Sequence, residues 1–363
     1  MASRRKPHLF LVAAEWFRRY FSDPEAIVLA VLLAVGFGVV LTFGHMLAPV
    51  IAALVIAYLL DGAVRALEQR HIPRFQGMLL VYAVFMAFVL VLVFGLSPLI
   101  WAQMLELARE APTYLLHAQD VLLSLPERYP YISPSEIEQV LQLARGELGE
   151  WGQRLVGFTL ASLPGVITVL VYVILVPLLV FFFLKDKDRL ILWFTGIIPR
   201  EHALAGRVWS EVDQQIGNYV RGKFWEILIV GVVSIVTFAL LGLKYAMLLG
   251  FLVGLSVIVP YIGAAVVTVP VALVAYFQWG WSSDFLWLMG AYTVIQALDG
   301  NVLVPLLFSE VVNLHPVAII VAVLVFGGLW GFWGIFFAIP LATLVNAIIS
   351  AWPHPAPEEA VEG

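Results

Sequence analysis

LVGFTLASLPGVITVLVYVILVPLLVFFFLKDKDR, residues 155 to 189, runs thirty residues without a charge and then sets five charged residues in a row. A bilayer core of about 30 Å takes roughly 20 apolar residues per helical crossing, so Leu155 to Leu184 is long enough for one membrane passage. Pro164 and Pro177 inside it predict kinks or a shortened span, because proline cannot complete the helical hydrogen-bond ladder.

The rest of the chain has the same character. Of its 363 residues 62% are hydrophobic and 12% charged, with a mean hydropathy of +0.97, whereas about 25% of a soluble domain is charged. The fold class is therefore all-α and polytopic, with roughly eight transmembrane or re-entrant helices and a small extramembrane helical segment. The apolar runs extend far past the h-region of a signal peptide, so the N-terminus is expected to be retained. With no cysteine, the chain has neither a disulfide nor a thiolate nucleophile or metal ligand.

Basic residues orient such a chain. Arg4, Arg5, Lys6, Arg18 and Arg19 make residues 1–26 a cytoplasmic segment, and Arg65, Arg70 and Arg74 place the loop from Asp61 to Gln76 on the same side. Residues 27–101 read as three membrane helices, Ile27 to Phe43, Met46 to Leu60 and Gly77 to Trp101, the first two joined by a tight hairpin at Gly44 and His45. Residues 102–154 carry eight acidic residues against four arginines and read as extracytoplasmic. Within them Ser133, Pro134 and Glu136 form a capping box ahead of an amphipathic helix. Residues 155–184 return the chain inward. Residues 185–226, with seven Lys or Arg, read as cytoplasmic or interfacial and amphipathic, the apolar face running from Ala205 through Trp209 to Val220.

No Lys or Arg follows Lys244, so the charge rule is silent over 227–350, the C-terminal membrane core, and the acidic tail 351–363. Tyr245 to Phe277 is too long for one crossing and is interrupted by Pro260, Gly263 and Pro270, which predicts either a re-entrant hairpin or a pair of broken spans. Gly331, Gly334 and Pro340 interrupt a later run in the same way. PYIG at 260 with VP at 269 matches GFWG at 331 with IP at 339, an offset of 70 or 71 that hints at an internal repeat.

Between these runs lies QALDGNVLVPLLFSEVVNLHPVA, residues 296 to 318. A carboxylate at membrane depth costs several kcal/mol, so Asp299 and Glu310 require water, a proton, a cation or a hydrogen-bonding partner. Gln296, Asn301 and His315 join them as candidates for a substrate or ion pathway, with Asp61, Asp284 and Asn218 as weaker ones. Pro260, Gly263, Pro305, Pro316, Gly331, Gly334 and Pro340 are the candidate helix breaks and hinges. The bland alternative is that Asp299-Gly300 marks an interfacial turn. No HExxH, GxSxG or GxxxxGK[ST] occurs, so the reading is not an enzyme and uses no cofactor or metal. A non-transporting membrane scaffold is the competing class, although it leaves the broken, carboxylate-bearing spans without a purpose.

ALDGNVLVPLLFSEVVNLHPVAIIVAVLVFGGLWGFWGIFFAIPLATLV at 297–345, with VGLSVIVPYIGAAVVTVPV, QQIGNYVRGK and VPLLVFFFLKDKDRL upstream, resembles the autoinducer-2 exporter family. RRYFSDPEAIVLAVLLAVGFG at 18–38 is similar to its PerM-like permease branch. The resemblance implies a multi-pass protein of the bacterial inner membrane that forms a homo-oligomer, a pentamer among the options. It implies export of a small polar solute such as a signalling molecule, with ion-gradient coupling, or exchange of Na+ or Li+ for H+. The partners implied are the lipid bilayer, the solute, and H+ or Na+, with no nucleic acid. Its signature falls on Pro260, Gly263, Asp299, Asn301, Pro305, Leu314, His315, Pro316, Gly331, Gly334 and Pro340.

Overall fold

In hydrocarbon every backbone N–H and C=O must find a partner inside its own segment, and long apolar runs answer with helices. A computed structural model describes residues 24–123, 163–197, 203–308 and 315–351, with the isolated positions 139, 142 and 146, and contains no strand among them. The helices are α1 (Pro24–Glu68), α2 (Arg74–Leu90), α3 (Ser97–Leu123), α4 (Leu163–Lys185), α5 (Lys187–Ile197), α6 (Ala203–Leu240), α7 (Ala246–Ser256), α8 (Ile262–Trp279), α9 (Ser283–Leu298), α10 (Val304–Phe308), α11 (Pro316–Phe336) and α12 (Ala338–Ala351). π-Helical turns join α2 to α3 at Val91–Leu96 and α9 to α10 at Asp299–Leu303. Six of the described helical segments are long and apolar enough to cross a membrane, or seven if α4 and α5, bent by 78°, form one span. With the short apolar α7, the chain is a polytopic all-α membrane protein.

Two sequence expectations change. The hairpin expected at Gly44 and His45 is absent, since α1 runs through both residues. Gly44 is small for another reason: a Cβ there would collide with the Trp330 indole. The segment expected to lie along the interface up to Glu226 is instead the first half of α6, of which Gln215–Leu240 is a crossing-length stretch. The capping box at Ser133 lies outside the described residues.

The chain divides into two units. One comprises Met1–Ile51, Asp186–Val220 and Glu310–Gly363. In it Trp330, Trp333, Phe336 and Phe337 gather where α11 meets α12. The other comprises Ala52–Lys185 and Arg221–Ser309 and holds two cores. In one, Ala53, Ala57 and Val64 of α1 pack with Met78 of α2 and Val180 and Leu184 of α4. In the other, Phe238 of α6, Leu249 and Val253 of α7, Val271 of α8 and Leu288 and Tyr292 of α9 close together.

That second core contains a helical hairpin. Gln278, near the end of α8, accepts from Lys244 N at 2.7 Å and donates to Gly242 O at 2.8 Å, which pins the base. At the tip a Cβ on Gly263 would collide with Ser256 O, so the chain can double back only through glycine. Between base and tip the arms, Lys244 to Ser256 and Gly263 to Gln278, rise about 18 Å and about 23 Å at 1.5 Å per residue, the first in a short apolar helix and the second in one of crossing length. The two arms form one helical hairpin. It lies against α6 through small residues: a Cβ on Gly254 would sit 2.6 Å from Gly231 Cα, and one on Gly250 2.6 Å from the Ile235 backbone.

Candidate functional site

The hairpin tip breaks the helical ladder between α7 and α8, and Val257 O is left for an outside donor. Lys223 supplies it from α6, its Nζ 2.8 Å from the carbonyl. The same ammonium lies 2.6 Å from Glu226 Oε2, an ion pair whose angle departs from hydrogen-bond geometry, and 5.3 Å from the Phe308 ring centroid. Lys223 is 3% exposed and Glu226 2% exposed. Phe308 reaches this position because its neighbour on α6 is Gly222, where a Cβ would come 2.8 Å from the ring and 3.2 Å from Leu307 O.

Asp299 completes the cluster. It interacts electrostatically with both Lys223 and Glu226, and its Oδ1 is buried without a hydrogen-bond partner. The residue lies in a π-helical turn within the crossing-length segment Ser283–Phe308, so the backbone at Asp299-Gly300 is helical where the bland alternative expected a turn. One extra residue in a helical turn rotates the following side chains and leaves backbone groups poorly paired, and such turns recur at functional sites. Tyr292, Gln296 and Asp299 fall on successive turns of one face of α9. Tyr292 Oη shares a 2.9 Å hydrogen bond with Thr268 Oγ1 of α8, and Gln296 Nε2 is buried with no partner. A polar lane thus runs from Thr268 through Tyr292, Gln296 and Asp299 to Glu226 and Lys223, lined otherwise by the apolar core.

Two carboxylates face one ammonium. With all three ionised the three side chains sum to one negative charge, in a setting where an unpaired charge is costly. One proton or one monovalent cation would balance it. Lys223 and Glu226 were not among the residues singled out in the sequence, where they sat at the end of a basic stretch read as cytoplasmic. The signal was present in KFWEILIVGVVSIV, a charge pair three apart opening an apolar run.

The other sequence candidates scatter. Asn301 is exposed and its Nδ2 donates to Ala297 O at 2.8 Å, a local helix contact. His315 is exposed and caps α11, its Nδ1 accepting from Val317 N at 3.3 Å, with Pro316 opening the helix. Glu310 and Leu314 lie outside the described residues. Pro260 sits in the α7–α8 break, Gly331 marks a non-helical kink in α11, and Pro305 and Pro340 lie inside α10 and α12. Asp61 is buried and paired with Arg65 at 2.7 Å and Arg74 at 3.7 Å, a structural clamp.

Comparison with known proteins agrees with this architecture. Residues 27–354 match the profile described as AI-2E family transporter. A protein of Escherichia coli strain K12 named "Putative permease PerM" is 48% identical over 340 residues, 93% of this chain and 96% of that one. Two Bacillus subtilis proteins named as transport proteins, YueF and YrrI, are 27% and 25% identical over 309 and 314 residues, each covering more than four fifths of both chains. The chain belongs to the AI-2E family of transporters.

Proposed function

We propose that this protein is a secondary transporter that moves a small polar solute, such as a signalling molecule, outward across a bacterial inner membrane as a homo-oligomer, using an ion gradient. The observation that supports the reading is the Lys223–Glu226–Asp299 cluster at the tip of a helical hairpin, with Lys223 and Glu226 buried and Asp299 half-buried. A scaffold gains nothing from burying an unbalanced carboxylate within a crossing, whereas a transporter needs a polar centre that binds and releases a charge-neutralising ligand. The net negative charge of the cluster also favours a narrower version, exchange of Na+ or Li+ for H+ at the same carboxylates.

The test is a proteoliposome assay with imposed sodium or proton gradients across a panel of small polar solutes. Asp299→Asn, in protein that inserts and stays monodisperse, is expected to lower gradient-driven flux about tenfold, equivalent to about 1.4 kcal/mol. Gradient-driven flux equal to wild type would remove Asp299 from the pathway. No flux of any solute or cation, together with a copurifying protein, would favour the scaffold, and chemical turnover in detergent an enzyme.

A further inference from the structure

A sodium ion and a proton ask different things of a site. Sodium keeps its charge and needs a shell of several oxygens in place of its water, whereas a proton needs one oxygen and becomes part of it. At the hairpin tip the oxygens placed to form such a shell are Glu226 Oε2 and Val257 O, and both already face a cation of the chain's own. Lys223 Nζ lies 2.6 Å from the first and 2.8 Å from the second, is buried, and is covered on a further side by the Phe308 ring, 5.3 Å away at its centroid. A sodium ion brought among them would stand beside that ammonium with little water between, where repulsion of like charges is strong. The same arrangement leaves one oxygen over. Asp299 Oδ1 is buried without a hydrogen-bond partner. Among the described residues the charged groups that face Asp299 are Lys223 and Glu226 from α6, and its polar neighbours along α9 are Gln296 and Tyr292.

We propose that the Lys223 ammonium stands where a sodium ion would bind, so that the coupling ion of this chain is the proton and Asp299 is its carrier. The inference rests on the ion-gradient reading above and narrows it to one ion. On uptake an O–H bond forms at Asp299 Oδ1 with a proton taken from hydronium at one membrane face, and the three side chains pass from −1 to 0. On release that bond breaks and the proton returns to water at the other face. Lys223 and Glu226 keep their charges throughout. Lys223 is then the specificity-determining residue, which admits a proton and turns away Na+ or Li+. Its removal inverts the preference. In Lys223→Gln the amide can still donate to Val257 O, while Glu226 and Asp299 together carry −2 with no ammonium between them, which suits a monovalent metal cation.

The test uses the purified full chain with H+ and Na+ alone as probes. In wild type an infrared carboxyl band is expected to titrate with pH, to be missing in Asp299→Asn, and to stay unchanged when sodium replaces choline at constant pH and ionic strength. Sodium chloride added to weakly buffered wild type is expected to release no proton. Added to Lys223→Gln it is expected to release about one proton per chain, as a metal ion does when it displaces the proton of its ligand. Lys223→Gln is also expected to lose Tm and to regain part of the loss in sodium but not in choline. Sodium that erases the wild-type band or releases a proton from wild type would overturn the proposal, as would a band that survives in Asp299→Asn. Lys223→Gln that releases no proton to sodium would remove Lys223 from its role. Where Lys223→Gln fails to fold, Lys223→Arg keeps the positive charge and is expected to ignore sodium as wild type does; sodium-induced proton release from it would equally overturn the proposal. Failure here leaves a sodium-coupled transporter, whereas failure of the transport reading would show as absent solute flux with the Asp299 band and its indifference to sodium intact.

Discussion

Lys223 is one of the few buried charged residues among those described. Its ammonium is buried against Glu226, the Val257 carbonyl and the Phe308 ring, and Asp299 lies within electrostatic reach. Removing one member of a buried ion pair leaves the other uncompensated, at a cost of about 3–5 kcal/mol, whereas replacing both with apolar groups is often neutral. Lys223→Met is therefore expected to lower Tm sharply in detergent. Lys223→Met combined with Glu226→Met is expected to recover most of the loss, and a double variant no more stable than the single one would refute the pairing. Glu110 gives the contrast: its contact with Lys244 at 3.3 Å is solvent-exposed, so Glu110→Gln is expected to leave Tm nearly unchanged. This difference also explains what was legible. Asp299 stood out because its neighbours are apolar on both sides, while Lys223 and Glu226 were hidden by Arg221 and the basic stretch before them, where charge count suggests water rather than depth.

At the scale of elements, sequence reading located the breaks well and the continuities poorly. Pro260, Gly263, Gly331 and Gly334 interrupt helices because their backbone conformations or close approaches exclude a regular ladder, and those constraints are written in residue type. Gly44 misled because a glycine demanded by packing against Trp330 looks in sequence like one demanded by a turn. Only the three-dimensional neighbour separates the two. The same distinction predicts substitution outcomes. At Gly263 a methyl group would meet the Ser256 backbone, which cannot move aside as a side chain does, so Gly263→Ala is expected to abolish the folded hairpin and reduce the yield of monodisperse protein severely. Gly290, on α9, has nothing within 4 Å of its added Cβ, so Gly290→Ala is expected to be neutral or to gain up to about 1 kcal/mol from helix propensity. Equal yields from the two variants would show that the hairpin tip is looser than its packing implies.

For the molecule as a whole, the ion-coupled function proposed above makes a prediction from the charge count of the cluster. Lys223 and Glu226 cancel, so Asp299 decides the net charge at membrane depth. An empty cluster bears −1 and is held where it is, since moving a bare charge through low dielectric is costly; a cluster that has taken up H+ or Na+ is neutral and free to rearrange. On the ion-coupled function proposed above, coupling would follow from electrostatics without a dedicated latch. Asp299→Asn makes the cluster permanently neutral, so the variant should uncouple the protein rather than block it. In proteoliposomes, uphill movement driven by an imposed sodium or proton gradient is expected to show the fall of about tenfold given above, while movement of the same solute down its own gradient persists at a rate within about threefold of wild type. Glu226→Gln leaves Lys223 and Asp299 as a neutral pair that ion uptake would unbalance, so by the same charge count it is also expected to lose ion-driven flux and to keep downhill flux. Loss of downhill flux in Asp299→Asn would mean that the carboxylate grips the solute itself, and the role of Asp299 would shift from coupling ion to substrate.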